Sequence, residues 1–276
     1  MSLKTIVLVN SESPLVESES GPVHQAEPFL DFERYIKPYL EHFGVPISII
    51  DISVDPLPLD IGEYALIMVG HRNLDPEHTY LNETSETMIV DAVKKGTGLV
   101  NFDNILAEPG SCEPLYRYVR DIFNFRYKRP HPANSIGISG TRERCDEEGH
   151  YVTSLQPKGN LTSLKVPITP AGLTASGSST VLATADSTIE GHRKLDQPLL
   201  IAAHCGEGRA VQWTSYDWAR ITVKGYVSGL DDLVWRSIVW AARKPFVIRG
   251  MPPFVTMRVD DAKGSDNWSY VNFTVA

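Results

Sequence analysis

At 276 residues, with 42% hydrophobic and 22% charged side chains, the chain has the make-up of an ordinary globular protein long enough to bury a substantial core. A formal charge of -8 excludes a general nucleic-acid or anionic-membrane surface, and no local basic patch offsets it. The three cysteines, Cys112, Cys145 and Cys205, are too few and too scattered for a disulfide framework or a CxxC metal knuckle, so they read as reduced thiols and favour a cytoplasmic setting. The opening MSLKTIVLVN has too short an apolar run for a signal-peptide core or a membrane span, and Ile6 to Val9 read as a first buried strand.

A polar loop, SESPLVESESGP, follows at the strand's carboxyl end. Phe29, Phe32, Ile36, Leu40 and Phe43 then recur at helical spacing, with Pro38 predicting a kink and Gly44 a stop. Val45 to Ile50 read as a second strand, closed by Asp51 and the proline-rich DPLPLD, and Tyr64 to Val69 as a third, closed by Gly70 and His71. Thr84 or Ser85 is placed to cap a helix through Met88, Ile89, Ala92 and Val93. That helix leads to GTGLVNFDN, residues 96 to 104, a buried strand that delivers Asp103 and Asn104 onto a turn. The order strand, helix, strand, strand, helix, strand fits an α/β fold with a doubly wound, mostly parallel sheet. In such sheets, ligands bind beyond the carboxyl ends of the strands, so those turns hold the first residues to question.

Pro114 to Phe125 read as a further helix with Leu115, Val119 and Ile122 inward. Residues 126–178, rich in Pro, Gly, Ser and Thr with short alternating runs, read as a small antiparallel β insertion. The doubly wound pattern is expected to resume with Val181 to Thr184. LLIAAHCGEGRAVQW, residues 199 to 213, then reads as an antiparallel hairpin turning at Cys205 to Arg209. Asp231 and Asp232 open a last helix with Leu233, Ile238 and Trp240 as core. Adjacent residues of an extended strand face opposite ways, so His204 and Cys205 do not form a thiolate and imidazolium couple.

IVLVN, YALIMVGH, the helix into GTGLVNFDN, IAAHCGEGRAVQWTSYDW and WRSIVWAARKP, in that order, resemble the class I glutamine amidotransferase-like superfamily, nearest its ThuA-like branch. The resemblance covers about residues 4–245, assigns residues 1–245 to one domain and implies a flavodoxin-like sheet with helices on both faces. In active members a cysteine occupies the turn after the strand matching GTGLVNF, and a His and a Glu follow a late strand to activate it. Here Asp103 and Asn104 stand at the turn, and Ser215 and Asp217 where the His and Glu belong. A carboxylate is a poor nucleophile toward an amide and serine is no general base, so glutaminase chemistry is excluded. The resemblance then implies an accessory, non-catalytic module that binds a carbohydrate or small polar ligand, with no cofactor in this chain. His71, Asp103, Asn104, Ser215, Tyr216 and Asp217 are the candidate ligand-binding residues, and Trp213 or Trp218 could stack on a sugar ring.

Residues 246–276 end in MPPFVTMRVDDAKG and its tail, which resembles the first strand of a NodB-type polysaccharide deacetylase barrel. That resemblance maps a catalytic base onto Asp260 and a divalent-metal ligand onto Asp261, both conditional on a downstream barrel that supplies paired histidines. Two alternatives therefore stand beside the accessory module: the amino-terminal part of a metal-dependent deacetylase or glycoside hydrolase, and a homo-oligomerisation domain of the kind found in some galactosidases. Asn82, Asn160, Asn267 and Asn272 head Asn-x-Ser/Thr sequons and carry no function without an export signal.

Overall fold

The computed structural model describes residues 4–14, 16–17, 25–26, 28–42, 44–107, 113–138, 149–154, 156, 161–175, 177, 179–189, 193–217 and 230–242. Its strands are β1 (Thr5–Val9), β2 (Val16–Glu17), β3 (Gln25–Ala26), β4 (Ile47–Asp51), β5 (Leu66–Val69), β6 (Gly98–Asn101), β7 (Arg126–Tyr127), β8 (Ala133–Ile138), β9 (Leu161–Ile168), β10 (Leu173–Thr174), β11 (Ser179–Ile189), β12 (Arg193–Cys205) and β13 (Gly208–Trp213). The helices are α1 (Pro28–Asp31), α2 (Lys37–His42), α3 (Glu83–Lys94), α4 (Arg117–Phe123) and α5 (Leu230–Ala242).

One nine-stranded sheet, ordered β4-β1-β5-β6-β13-β12-β11-β8-β9, organises the molecule. Its first half is parallel throughout: β1 pairs with both β4 and β5, and β6 pairs with both β5 and β13. Numbered by their order in the chain, those five strands lie 2-1-3-4-5, the flavodoxin-like arrangement, whose ligand crevice opens where β1 and β5 diverge. The unbroken apolar runs of β1 and β5 follow from burial on both faces. Val7, Val9, Met68, Val100 and Trp213 pack with Phe32, Ile36 and Leu40 and with the α5 residues Leu233, Val234 and Ile238. Ile6, Leu8, Ile67, Val69 and Leu99 pack oppositely, against Ile89 and Val93 of α3 and Val119 and Ile122 of α4.

Pro38 has its effect one turn upstream. Lacking an N–H, it cannot bond to the fourth residue before it, and Phe32–Ile36 widen into a π-helical turn in which the Lys37 N–H reaches the Phe32 carbonyl. The α3 cap differs from expectation: Asn82, not Thr84 or Ser85, is the N-cap, its Oδ1 accepting the Ser85 N–H at 2.9 Å. Asn82 thereby puts its side chain opposite the third N–H of the helix, the geometry an N-cap requires. Between β4 and β5 the crossover over 52–65 carries only the 3-10 turn Ile61–Glu63, in keeping with its prolines.

The second half of the sheet is antiparallel, from β13 through β12, β11 and β8 to β9. The β12–β13 hairpin is as read from the sequence, with Cys205 opposite Gly208 and Gly206 at φ +58°. A Cβ at Gly206 would stand 2.5 Å from the Lys94 carbonyl oxygen, so no other residue fits. Val181 to Thr184 do not resume the parallel series. They belong to β11, whose Ile189 lies opposite Arg193 of β12, and so tight a return permits only antiparallel pairing, a parallel one needing a crossover of about a dozen residues.

Candidate functional site

The carboxyl ends of β1, β4, β5 and β6 form one rim, and a buried polar network ties it together. At its centre is the loop 70–75. The Asn10 N–H donates to His71 Nε2 at 2.8 Å, and His71 Nδ1 lies 2.9 Å from the Arg72 carbonyl, which fixes Nδ1 as the protonated nitrogen. Burial lowers the His71 pKa from 6.5 to about 4, so the ring is neutral. Asn10 Nδ2 donates to the Leu74 carbonyl at 2.6 Å, closing β1 and β5 over the crevice.

Asp103 occupies the turn after β6 and is wholly buried. It accepts the N–H groups of Asn73 at 2.7 Å, Leu74 at 3.0 Å and Ile105 at 2.9 Å. Burial is the largest influence on its acidity and pushes the carboxyl up to about 6, against the pull of those N–H groups. The carboxylate holds Asn73 in the left-handed region at φ 57°. Tyr116 joins the same brace, its hydroxyl bonded to Asp103 and accepting the Asp75 N–H at 2.9 Å. Beneath the turn, Gln212 of β13 donates to the Asp103 carbonyl at 2.7 Å and accepts from Asn101 Nδ2 at 2.8 Å.

Arg72 is 1% exposed and lies between two carboxylates, Asp217 at 3.2 Å and Asp31 at 3.4 Å. It joins α1, the rim loop and the chain after β13. Burying a guanidinium is tolerable only with such partners. Tyr216 completes this side, its hydroxyl 3.5 Å from the Gly70 carbonyl and its ring edge-on to Phe102.

The six residues singled out from the sequence therefore gather around one rim, and all six are buried: His71, Asp103, Ser215 and Asp217 at 0%, Tyr216 at 1% and Asn104 at 7%. Polar side chains that reach solvent at the same rim come from the loops after β1 and β4. Ser11 and Glu12 are exposed and Ser53 is partly so. Asp51 organises them, its Oδ1 accepting the Ser11 N–H at 3.2 Å, the Ser53 N–H at 3.1 Å and the Ser53 hydroxyl at 2.6 Å. The Ser11 and Ser53 hydroxyls lie 3.2 Å apart. Sequence reasoning missed this set, although Asp51 and Ser53 follow a strand in the pattern of an Asx turn.

Cys205 is not part of a dyad. Its side chain packs on the α3 and α4 face, whereas the exposed His204 ring sits edge-on to Trp240 at 5.4 Å on the α5 face. Burial raises the Cys205 thiol pKa, the wrong direction for a nucleophile. Trp213 is fully buried and stacked with Phe102, which makes it core and not a sugar platform. Cys112, Cys145, Trp218, Asp260 and Asp261 lie outside the described residues, and so does the stretch resembling a deacetylase strand. Among the described residues no group of three or more His, Cys, Asp or Glu side chains could hold a metal, and no helix is long and apolar enough to cross a membrane.

No protein-family model matches the chain, and no curated protein does. Solved structures do. A cytoplasmic protein of Salmonella typhimurium superposes over 88% of this chain and 100% of its own, at 16% identity and a TM-score of 0.56. A ThuA-like protein of Parabacteroides merdae does so over 88% and 90%, at 15% identity and a TM-score of 0.55. A β-galactosidase from Bacillus circulans matches 87% of this chain with 30% of its own, at 14% identity and a TM-score of 0.51. These likenesses define the class by fold alone: a flavodoxin-like α/β domain built on one large mixed sheet. Within that class its fold is similar to that of ThuA-like proteins.

Proposed function

We propose that this chain is a glutamine amidotransferase-like domain without glutaminase chemistry, serving as an accessory module that holds a small polar ligand of the carbohydrate class at the carboxyl rim of its parallel half. One observation carries the reading. At the turn where active relatives place their thiol, this chain places a carboxylate whose oxygens are taken by three backbone N–H groups, so the position positions a loop and does not attack a substrate. The buried residues His71, Asp103, Asn104, Ser215, Tyr216 and Asp217 form the inner wall. Ser11, Glu12 and Ser53 present two hydroxyls and a carboxylate outward, a donor and acceptor set suited to sugar hydroxyls. The module reading is supported by the β-galactosidase likeness, in which a comparable domain makes up 30% of a larger glycosidase chain.

Calorimetric titration with mono- and oligosaccharides tests it. Saturable binding that Glu12→Gln and Ser53→Ala each weaken by roughly tenfold, the loss of one hydrogen bond to a charged or buried partner, is the expected result. Absence of heat for every saccharide, or binding indifferent to both substitutions, would remove the proposal. Release of ammonia from glutamine would remove its first half.

A further inference from the structure

We propose that two copies of this chain associate edge to edge through β4, antiparallel about a two-fold axis at Ile49, joining their sheets into one. The inference goes beyond the ligand-binding reading and needs no ligand. The two ends of the nine-stranded sheet are treated differently by the sequence. The β9 edge carries Lys165 and Pro167, the charge and the missing donor that keep an edge from pairing. The β4 edge, Ile-Ser-Ile-Ile-Asp, has no proline, and its one charge, Asp51 at the strand end, is engaged by Ser11 and Ser53.

The backbone pattern shows which groups that edge offers. The Thr5 N–H bonds to the Pro46 carbonyl and the Ile52 N–H to the Val9 carbonyl, both at 2.8 Å, so even-numbered residues face β1. By strand alternation, Ile47, Ile49 and Asp51 turn their N–H and C=O groups outward. The Asp51 carbonyl is already taken by the N–H groups of Val54 and Asp55. Pairing about Ile49 uses most of this inventory: Ile49 exchanges both bonds with its symmetry mate and each Asp51 N–H meets an Ile47 carbonyl, while the Ile47 N–H, opposite the occupied Asp51 carbonyl, is left to solvent. Ser48 then faces Ile50 and Asp51 faces Ile47, so no ionised side chain lies opposite another, which matters for two chains of charge -8.

Side-chain exposure agrees. Of the four large hydrophobic side chains exposed among the described residues, three fall between positions 49 and 59: Ile49 at 40%, Val54 at 72% and Leu59 at 93%. They lie on the edge strand and on the crossover after it, where a 3-10 turn stands in place of the helix a doubly wound sheet ordinarily carries. A second copy covers an edge and a margin that no described strand or helix covers. A groove of about 480 Å³ between that crossover and α3, lined by Leu59 and by the charged Asp60, Glu63, Asp91 and Lys95, continues the same margin.

Sedimentation velocity on the full chain is the test. A mass twice that of the chain is expected, falling to the single-chain value in Ile49→Lys and in Ile49→Pro, the latter removing the outward N–H that the pairing needs. Ile49→Cys should form a two-chain disulfide under mild oxidation that the parent chain, with its own cysteines, does not form, because facing α-carbons of a hydrogen-bonded antiparallel pair sit about 5.5 Å apart. That variant keeps the proposal testable should the other two fail to fold. A single-chain mass for the parent up to about 100 µM, a two-chain mass surviving both edge substitutions, or no disulfide at Ile49→Cys would overturn it.

Discussion

His71 and Asp103 pull the pH dependence of stability in opposite directions. His71 has its pKa lowered from 6.5 to about 4, so its contribution is complete above pH 6.5 and is lost as the pH falls toward 4, by up to ~3 kcal/mol. Asp103 has its pKa raised from 3.8 to about 6, so its contribution is complete below 3.8 and is lost as the pH rises through 6. Between pH 4 and 6 the two slopes offset one another. His71→Gln removes one of them, and relative to the parent it should gain up to ~3 kcal/mol as the pH drops from 6.5 to 4, read from urea midpoints. Parallel curves would show that the ring is not buried and neutral. Asp103→Ala orphans the N–H groups of Asn73, Leu74 and Ile105 and should cost on the order of 3 kcal/mol, more than Asp103→Asn, which keeps an acceptor. Strand-end positions made His71 and Asp103 legible in the sequence. The Arg72 pairing with Asp31 and Asp217 was not, because partners 41 and 145 residues away are chosen by the folded chain and not by local pattern.

Elements were legible where one physical signal dominated. The prolines of DPLPLD correctly marked a crossover without an α-helix, and Pro38 marked an irregular turn, although the sequence could not say that it would be a π-helical one. The α3 cap was misread because Asn82, Thr84 and Ser85 are all capping types within four positions, and only geometry selects among them. Asn82→Ala should therefore cost about 1 kcal/mol in chemical denaturation, while Thr84→Ala, at an exposed helical position, should be near neutral. A Cβ at Gly98 of β6 would stand 2.3 Å from the Ala241 carbonyl oxygen of α5. Gly98→Ala should destabilise by ~2 kcal/mol or more, since two backbones must part to admit it. An unchanged midpoint for that variant would show that α5 does not lie flush on β6.

For the whole molecule, the parallel half was legible because each buried strand is a continuous apolar run separated from the next by a helix or a long crossover. The antiparallel half was partly legible: β12 and β13 declared themselves through Gly206 and Gly208, but β11 reads locally like another buried parallel strand, and only the short return to β12 assigns its direction. Asp103 braces the turn after β6 from within, and the loops after β1 and β4 present the outward polar side chains of the rim. Amide chemical-shift mapping during saccharide titration tests that arrangement most directly. Saturable shifts concentrated at Ser11, Glu12 and Ser53, with ammonia release from glutamine absent, are the expected result. Shifts centred elsewhere, or none at saturating sugar, would contradict it.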